Sequence, residues 1–373
     1  MKLSDFLEEV SEKTTQNNQY SVLTSSKNGI FPQDNYFNKQ VASKDNTGYK
    51  VIRRGEFTYR AMSDTGEFYP NMLECTDIGI VSPAYPVFRI SKDVIIPEYL
   101  KYYFKSKGFQ KSITSFVQGS TRASMKFGKM KTISIDLPDK ETQLELTKKL
   151  NLIRVQIKIK TKELSLLDTL IKARFVEMFG DQSSNPFSWK KEAIGNCCKL
   201  KSGISLDHSI ENEGGPIPYV KVGDMNFPGN EEYITTSSRF VSKETAHKGL
   251  FSVGSVIFPK RGGAIGTNKK RLTKVPICAD LNVMGVSSDG SILPEYLFVY
   301  FEMIDLASLS DGSSVPQINN KDIAPLEICI PPIDLQKNFA SFVSQVDKSK
   351  FAVQKSLEKT QQLFDSLMQE YFG

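Results

Sequence analysis

The chain is poor in the residues from which most active sites are built. Its 373 residues include two histidines and one tryptophan. There is no paired-histidine metal site and no supported Cys-His arrangement. His208 and His247 stand in polar, loop-like stretches and read as surface residues. The five cysteines, at 75, 197, 198, 278 and 329, are odd in number and lack metal-ligand spacing. They exclude a disulfide framework and read as reduced, mostly buried thiols. No apolar run approaches the length that crosses a membrane. The opening Met1-Lys-Leu-Ser-Asp-Phe-Leu-Glu-Glu lacks the apolar core of a signal peptide, so a cytoplasmic protein with no membrane partner is expected. Also missing are a Gly-x-Ser-x-Gly elbow and a phosphate loop ending in Gly-Lys-Ser/Thr. Arg261-Gly-Gly-Ala-Ile-Gly266 is glycine-rich, but it runs into the basic stretch Asn268-Lys-Lys-Arg271 rather than into a helix, which argues against a dinucleotide site. Asn185-Pro-Phe-Ser188 lacks the second proline and the preceding strand of an adenine-methyltransferase signature, and reads as linker. Catalytic residues, metal ligands and cofactors are therefore assigned to none of these positions. The expectation is a binding protein.

What is present is length, aromatics and a repeat. The chain is long enough for two domains with their own cores, and 24 Phe with 14 Tyr argue against disorder. Gly119 to Gly180 aligns without gaps on Gly312 to Gly373, a shift of 193, with 11 of 62 positions identical. The identities include Gly119/Gly312, Ser120/Ser313, Pro138/Pro331, Gln143/Gln336 and Phe179-Gly180/Phe372-Gly373. A second block, Pro97-Glu-Tyr-Leu-Lys-Tyr-Tyr-Phe104, matches Pro294-Glu-Tyr-Leu-Phe-Val-Tyr-Phe301 at six of eight positions, with a shift of 197. A repeat this long, with no short period, describes a pseudo-symmetric two-lobed protein of the α+β class.

Each copy has the same predicted order. A turn at Gly55 or Gly254 feeds a strand with a basic residue at its far end, and Ile78–Val81 and Cys278–Val286 are further strand candidates. Pro97 and Pro294 open short amphipathic helices, since proline costs nothing at the first helical position. After the Gly-Ser loop, Ile133–Pro138 and Leu326–Pro331 alternate as strands. Two long helices follow. The first, from Glu141 to about Phe179, carries an apolar stripe that includes Leu150, Ile153, Ile157, Leu164, Leu167 and Ile171. The second carries Val343, Val346, Val353, Leu357 and Phe364 in the same phase. About 38 residues at about 1.5 Å each would make a rod of about 57 Å, more than a domain of this size needs. Pairing of the two rods as a coiled coil is expected, the other arrangement being that each packs on its own domain. Gly180 to Trp189 reads as the linker.

The formal charge is +6, and its distribution says more than its sum. Basic residues cluster at Arg53-Arg54 with Arg60, at Arg122/Lys126/Lys129/Lys131, at Lys260-Arg261 and at Lys269-Lys270-Arg271, as in a phosphate binder. Two similar basic domains joined by long helices suit two places on one duplex. The candidate contacts are Arg60, Arg122 and Lys126 in the first copy, and Tyr219, Lys221, Lys260, Arg261, Lys269, Arg271, Gln317 and Asn319 in the second. These residue types supply phosphate contacts and base-edge hydrogen bonds.

The repeated Gly-Ser loop with its strand into proline (Gly312-Ser-Ser-Val-Pro-Gln-Ile-Asn and Ile328-Cys-Ile-Pro-Pro332), the Gln336 helix start, the Pro-Glu-Tyr-Leu helix, Val253-Gly-Ser-Val-Ile-Phe and Pro218-Tyr-Val-Lys-Val-Gly-Asp-Met225 together give the chain its likeness to a family. It resembles the specificity subunit of type I restriction-modification systems over nearly its whole length. The resemblance implies target recognition domains at 1–138 and 183–332, a central long helix and linker at 139–182, and a C-terminal long helix at 333–373. The two helices would form an antiparallel coiled coil whose length sets the spacer of a bipartite DNA site, with the apolar stripe serving pairing and partner docking. It further implies two methyltransferase subunits docked on the helices, with restriction or translocase subunits able to join them. S-adenosylmethionine would be bound by the methyltransferase and no cofactor by this chain. The first copy departs from the pattern: it lacks an opening like Trp189-Lys and has Met125-Lys-Phe127 where the second has Gln-Ile-Asn, which implies a different base preference. The alternatives are a specificity module of a related two-component adenine methyltransferase, a coiled-coil scaffold with incidental basic loops, and a nuclease built on carboxylates such as Glu211, Glu213 and Asp224.

Overall fold

The computed structural model describes residues 1–33, 44–114 and 123–373. Gly119, Ser120 and Arg122 lie outside the described residues. The chain divides into two compact units: unit 1 is Met1–Thr161 with Lys355–Gly373, and unit 2 is Lys162–Gln354. Four helices frame the sites: α1 (Pro97–Lys105), α2 (Lys140–Phe179), α3 (Pro294–Glu302) and α4 (Ile333–Phe372). The two long helices, 40 residues each, contribute to both units.

The repeat seen in the sequence is a repeat of strand registers. In unit 1 Leu7–Val10 pairs antiparallel with Val87–Ile90, which pairs with Phe57–Thr58, which pairs with Asn71–Met72. Unit 2 has the same order, Cys198–Ser202, Val283–Ser288, Val256–Pro259 and Arg271–Thr273, with Tyr233–Ile234 added at the edge. Phe57 faces Phe88 where Val256 faces Val286, and all four side chains are buried. The glycines that open these strands, Gly55 and Gly254, both have positive φ, +86° and +82°, which L side chains rarely adopt. The predicted strand over Cys278–Val286 is two strands, Ile277–Ala279 and Val283–Ser288, because Asp280 accepts from the Asn282 N–H and turns the chain between them. The strand expected at Ile133–Pro138 is reduced to a bridge from Ser134 to Lys2, whereas Glu327–Ile330 forms a full strand with Lys190–Ala193.

Gln143 and Gln336 explain their own recurrence. Both are fully buried. Gln143 Oε1 accepts from the Ile96 N–H (2.9 Å) just before α1, and its amide donates to the Val94 and Pro138 carbonyls. Gln336 does the same for Leu293, Ser291 and Pro331. Each glutamine satisfies a helix N-terminus, an irregular loop and a strand end with one side chain. Gln336→Leu, similar in volume, is expected to destabilise unit 2 by about 2–3 kcal/mol, since it leaves buried backbone groups unpaired. A lowered midpoint in thermal unfolding checks this.

Within each unit the two long helices run antiparallel and also pack on the sheet, so the pairing and packing arrangements hold together. In unit 2 the Phe175 and Phe339 rings lie 5.5 Å apart and Lys350 bonds Asp168 at 2.6 Å. Ile171, Phe175, Phe179, Val343 and Val346 share a core with Tyr296 and Leu297 of α3. In unit 1 Leu146 and Leu150 join Tyr99, Tyr102 and Phe372 in the equivalent core. Four cysteines are buried and Cys75 is exposed; burial pushes the Cys278 thiol up to about 11, which keeps it protonated and inert. Among the described residues no helix is long and apolar enough to cross a membrane.

Candidate nucleic-acid interface

The strand Val256–Pro259 carries Lys260 and Arg261 out of the core of unit 2. Pairing then continues with a distant segment. The Ile318 N–H donates to the Lys260 carbonyl at 2.9 Å, Arg261 faces Gln317 across an antiparallel bridge, and the Gly262 N–H donates to the Pro316 carbonyl at 2.8 Å. Lys260, Arg261, Gln317 and Asn319 are thereby brought to one edge. The loop that leads there is shaped by Asp311, whose Oδ1 accepts from the backbone N–H groups of Ser313 and Gln317 and from the Ser313 hydroxyl. Gly312, at φ +67°, makes the turn possible. This is the physical content of the Gly-Ser motif.

The edge is electrostatically primed for an anion. Arg261 reaches Gln317 Oε1 at 3.5 Å, is otherwise exposed, and has no carboxylate in ion-pair range among the described residues. Lys260 is half-buried and donates to Ser202 Oγ at 2.9 Å. Burial first, and then the neighbouring Arg261 charge, lowers its pKa. Two close cations with no acid between them attract a phosphate, and an arginine beside a glutamine offers donors and an acceptor to base edges. Val315, 53% exposed at the tip of the same loop, adds an apolar surface that sequence reasoning did not select.

Unit 1 builds the same edge. Ala123–Ser124 pairs with Met62–Ser63, and the Met125 N–H donates to the Ala61 carbonyl at 3.1 Å. Arg60, just before this pairing, is exposed at the mouth of a cleft of about 260 Å³ lined also by Gln33, Tyr49 and Tyr85. Lys126 opens the helical turn Phe127–Met130, as Asn319 opens Asn320–Ile323 193 residues later.

Other candidates are engaged by the fold. Tyr219 is 1% exposed, and its hydroxyl donates to the Ile204 carbonyl and Asp280; it is a core residue, not a surface reader. Arg271 is half-buried and spends its guanidinium on the Met225, Asn230 and Lys270 carbonyls. It fixes the segment Val222–Asn226 and has little left for DNA. Lys221 is bonded to Glu211, which Arg239 also approaches at 3.6 Å, and Lys269 is bonded to Asn226. Glu211, Glu213 and Asp224 are bonded to lysine, backbone and serine groups. Among the described residues no group of three or more His, Cys, Asp or Glu could hold a metal.

The helix stripe also resolves into two faces. Of the predicted stripe, Leu150, Ile171, Val343 and Val346 are buried, while Ile153, Ile157, Leu164, Leu167, Val353, Leu357 and Phe364 are half-buried. These side chains face inward. A second stripe on α2 is exposed: Leu152, Val155 and Ile159 in unit 1, and Leu166 and Leu170 in unit 2. Its spacing of three, four, seven and four was legible in the sequence, but a longer inward stripe masked it.

Comparison with known proteins agrees with this architecture. Residues 186–363 match the family model of the type I restriction modification DNA specificity domain. The type I restriction enzyme MjaIX specificity subunit of Methanocaldococcus jannaschii is 24% identical over 303 residues, covering 75% of this chain and 69% of the relative. The putative MjaX specificity subunit of the same organism is 23% identical over 309 residues, covering 74% and 69%. Among solved structures, a chain from a study of complex assembly and conformational transition of the type I R-M system superposes with a TM-score of 0.59 at 16% identity, covering 100% of this chain and 96% of the other. The S subunit from M. genitalium superposes with a TM-score of 0.57 at 12% identity, covering 100% and 95%. Residues 186–363 thus carry a type I restriction modification DNA specificity domain, and the chain as a whole is similar in sequence and fold to the specificity subunits of type I restriction-modification systems.

Proposed function

We propose that each unit reads one half of a bipartite duplex site through its loop edge, and that this chain recruits two methyltransferase subunits and leaves catalysis to them. The observation that carries the reading is the duplicated edge. Arg60 and Lys126 in unit 1 flank the pairing that in unit 2 carries Lys260, Arg261 and Gln317 and is followed by Asn319, so the same framework presents different chemistry in the two units. One framework with two different sets of contacts is what a two-part, asymmetric sequence requires. Lys221 and Lys269 lie outside that edge and would add phosphate contacts at most. For the methyltransferase subunits the exposed apolar residues of α2, Leu152, Val155 and Ile159 in unit 1 and Leu166 and Leu170 in unit 2, are the favoured surfaces, because large apolar residues repeated along an exposed helix face mark association. S-adenosylmethionine and the transferred methyl group belong to those subunits in this reading, and a restriction subunit would join through them. The test is to map modified adenines in cells with and without the gene. An interrupted, asymmetric motif that is modified only when the chain is present supports the proposal.

A further inference from the structure

One position is filled in unit 2 and open in unit 1. In unit 2, Glu232-Tyr233 lies against α3 and α4. The Tyr233 hydroxyl donates to Asp347 Oδ2 at 2.5 Å, its ring lies 6.4 Å from that of Phe298, and the Lys274 ammonium sits 4.5 Å from the ring centre. Lys350 holds Glu232 and also bonds Asp168. By the repeat shifts of 193 and 197, Asp347, Lys350, Phe298 and Glu302 correspond to Arg154, Ile157, Lys101 and Lys105 of unit 1. Those unit 1 residues line an open groove of about 580 Å³.

The lining is predominantly cationic, with Asp365 as its carboxylate. Asp347 is replaced by Arg154, Glu302 by Lys105 and Phe298 by Lys101, and Lys158 adds a further cation. Lys101 already meets Glu74, and the Arg154 guanidinium lies 5.8 Å from the ring centre of Tyr102. Burial first, and then the Arg154 and Lys101 charges, lower the Lys105 pKa against an opposing pull from Glu74. The floor is apolar, formed by Tyr102, Ile157, Phe364 and Met368. A sugar-phosphate strand would use the cations and waste the floor. A protein side chain uses both.

We propose that this groove receives an aromatic side chain with a neighbouring carboxylate from a docked methyltransferase subunit, seated as Glu232-Tyr233 is seated in unit 2. The assignment rests on the reading above that such subunits dock on this chain. It makes the two docking sites chemically unequal, with the acidic-aromatic element supplied from within in unit 2 and from the partner in unit 1.

The test is calorimetric titration of the full-length chain with its cognate methyltransferase subunit. The double variant Arg154→Glu/Lys158→Glu, at two exposed positions, is compared with the unaltered chain. The expected result is a Kd weakened about tenfold or more for the double variant, with an unchanged melting curve and unchanged duplex affinity of the free chain. Equal Kd values overturn the groove assignment while leaving docking intact, whereas no binding by the unaltered chain overturns both. Lost duplex affinity with methyltransferase binding retained identifies a phosphate-contacting surface and also overturns the proposal. Should the double variant melt early, Lys158→Ala alone decides, with about a threefold weakening expected and an unchanged Kd counting against the groove.

Discussion

Arg261→Ala lowers affinity for one half of the recognised site by about 10- to 100-fold, an expectation that follows from a bidentate arginine contact to a base. The side chain is well placed for it. It stands exposed on the pairing of Arg261 with Gln317, its guanidinium reaches that glutamine at 3.5 Å, and among the described residues it has no acid to lose. Its removal therefore costs the fold little, and the melting curve should not move. The loss is expected in one half of the motif, with base preference relaxed there and the other half read as before. Competition binding with duplexes altered in one half at a time measures this. A uniform loss across all sequences, with a salt dependence reduced by about one counterion, would show that Arg261 meets phosphate alone.

The paired substitution Val155→Asp/Ile159→Asp is expected to abolish methyltransferase binding, weakening it by more than about 100-fold. Both side chains are 53% exposed on α2, so two carboxylates there are well solvated in the free chain. In a complex the same carboxylates would be buried without partners, at several kcal/mol. Size-exclusion chromatography of the co-expressed proteins reads the outcome directly. Leu164→Asp is a different experiment. Leu164 is half-buried and part of the inward stripe, so its loss falls on the pairing of the helices as well as on docking.

Much of this architecture was legible because it is written twice. The shift of 193 makes Gln143 and Gln336 equivalent, and the reason is a buried amide that ties a helix start to a loop and a strand end. Gly55 and Gly254 were legible as turns, and positive φ explains them. The loop edge was only half legible. Sequence proximity suggested Lys260 with Arg261 and Gln317 with Asn319, but the pairing that joins them spans 56 residues and has no local signal. Tyr219 and Arg271 were misplaced for a related reason. A tyrosine or an arginine looks the same in a string whether it faces water or satisfies carbonyls inside a fold, and here Asp280 and the 225–230 turn take them. The filling of one groove by Glu232-Tyr233 had no local signal in the sequence, since Tyr233 meets Asp347 across 114 residues.

Differential methylome sequencing tests the central claim most directly. Genomic DNA from cells carrying the methyltransferase subunit is compared with and without this chain, and with the Arg261→Ala chain. Two short defined sequences separated by a fixed unspecified gap should acquire N6-methyladenine only when the chain is present, and Arg261→Ala should degrade one of the two. A pattern of modified adenines identical in all three samples would contradict the account.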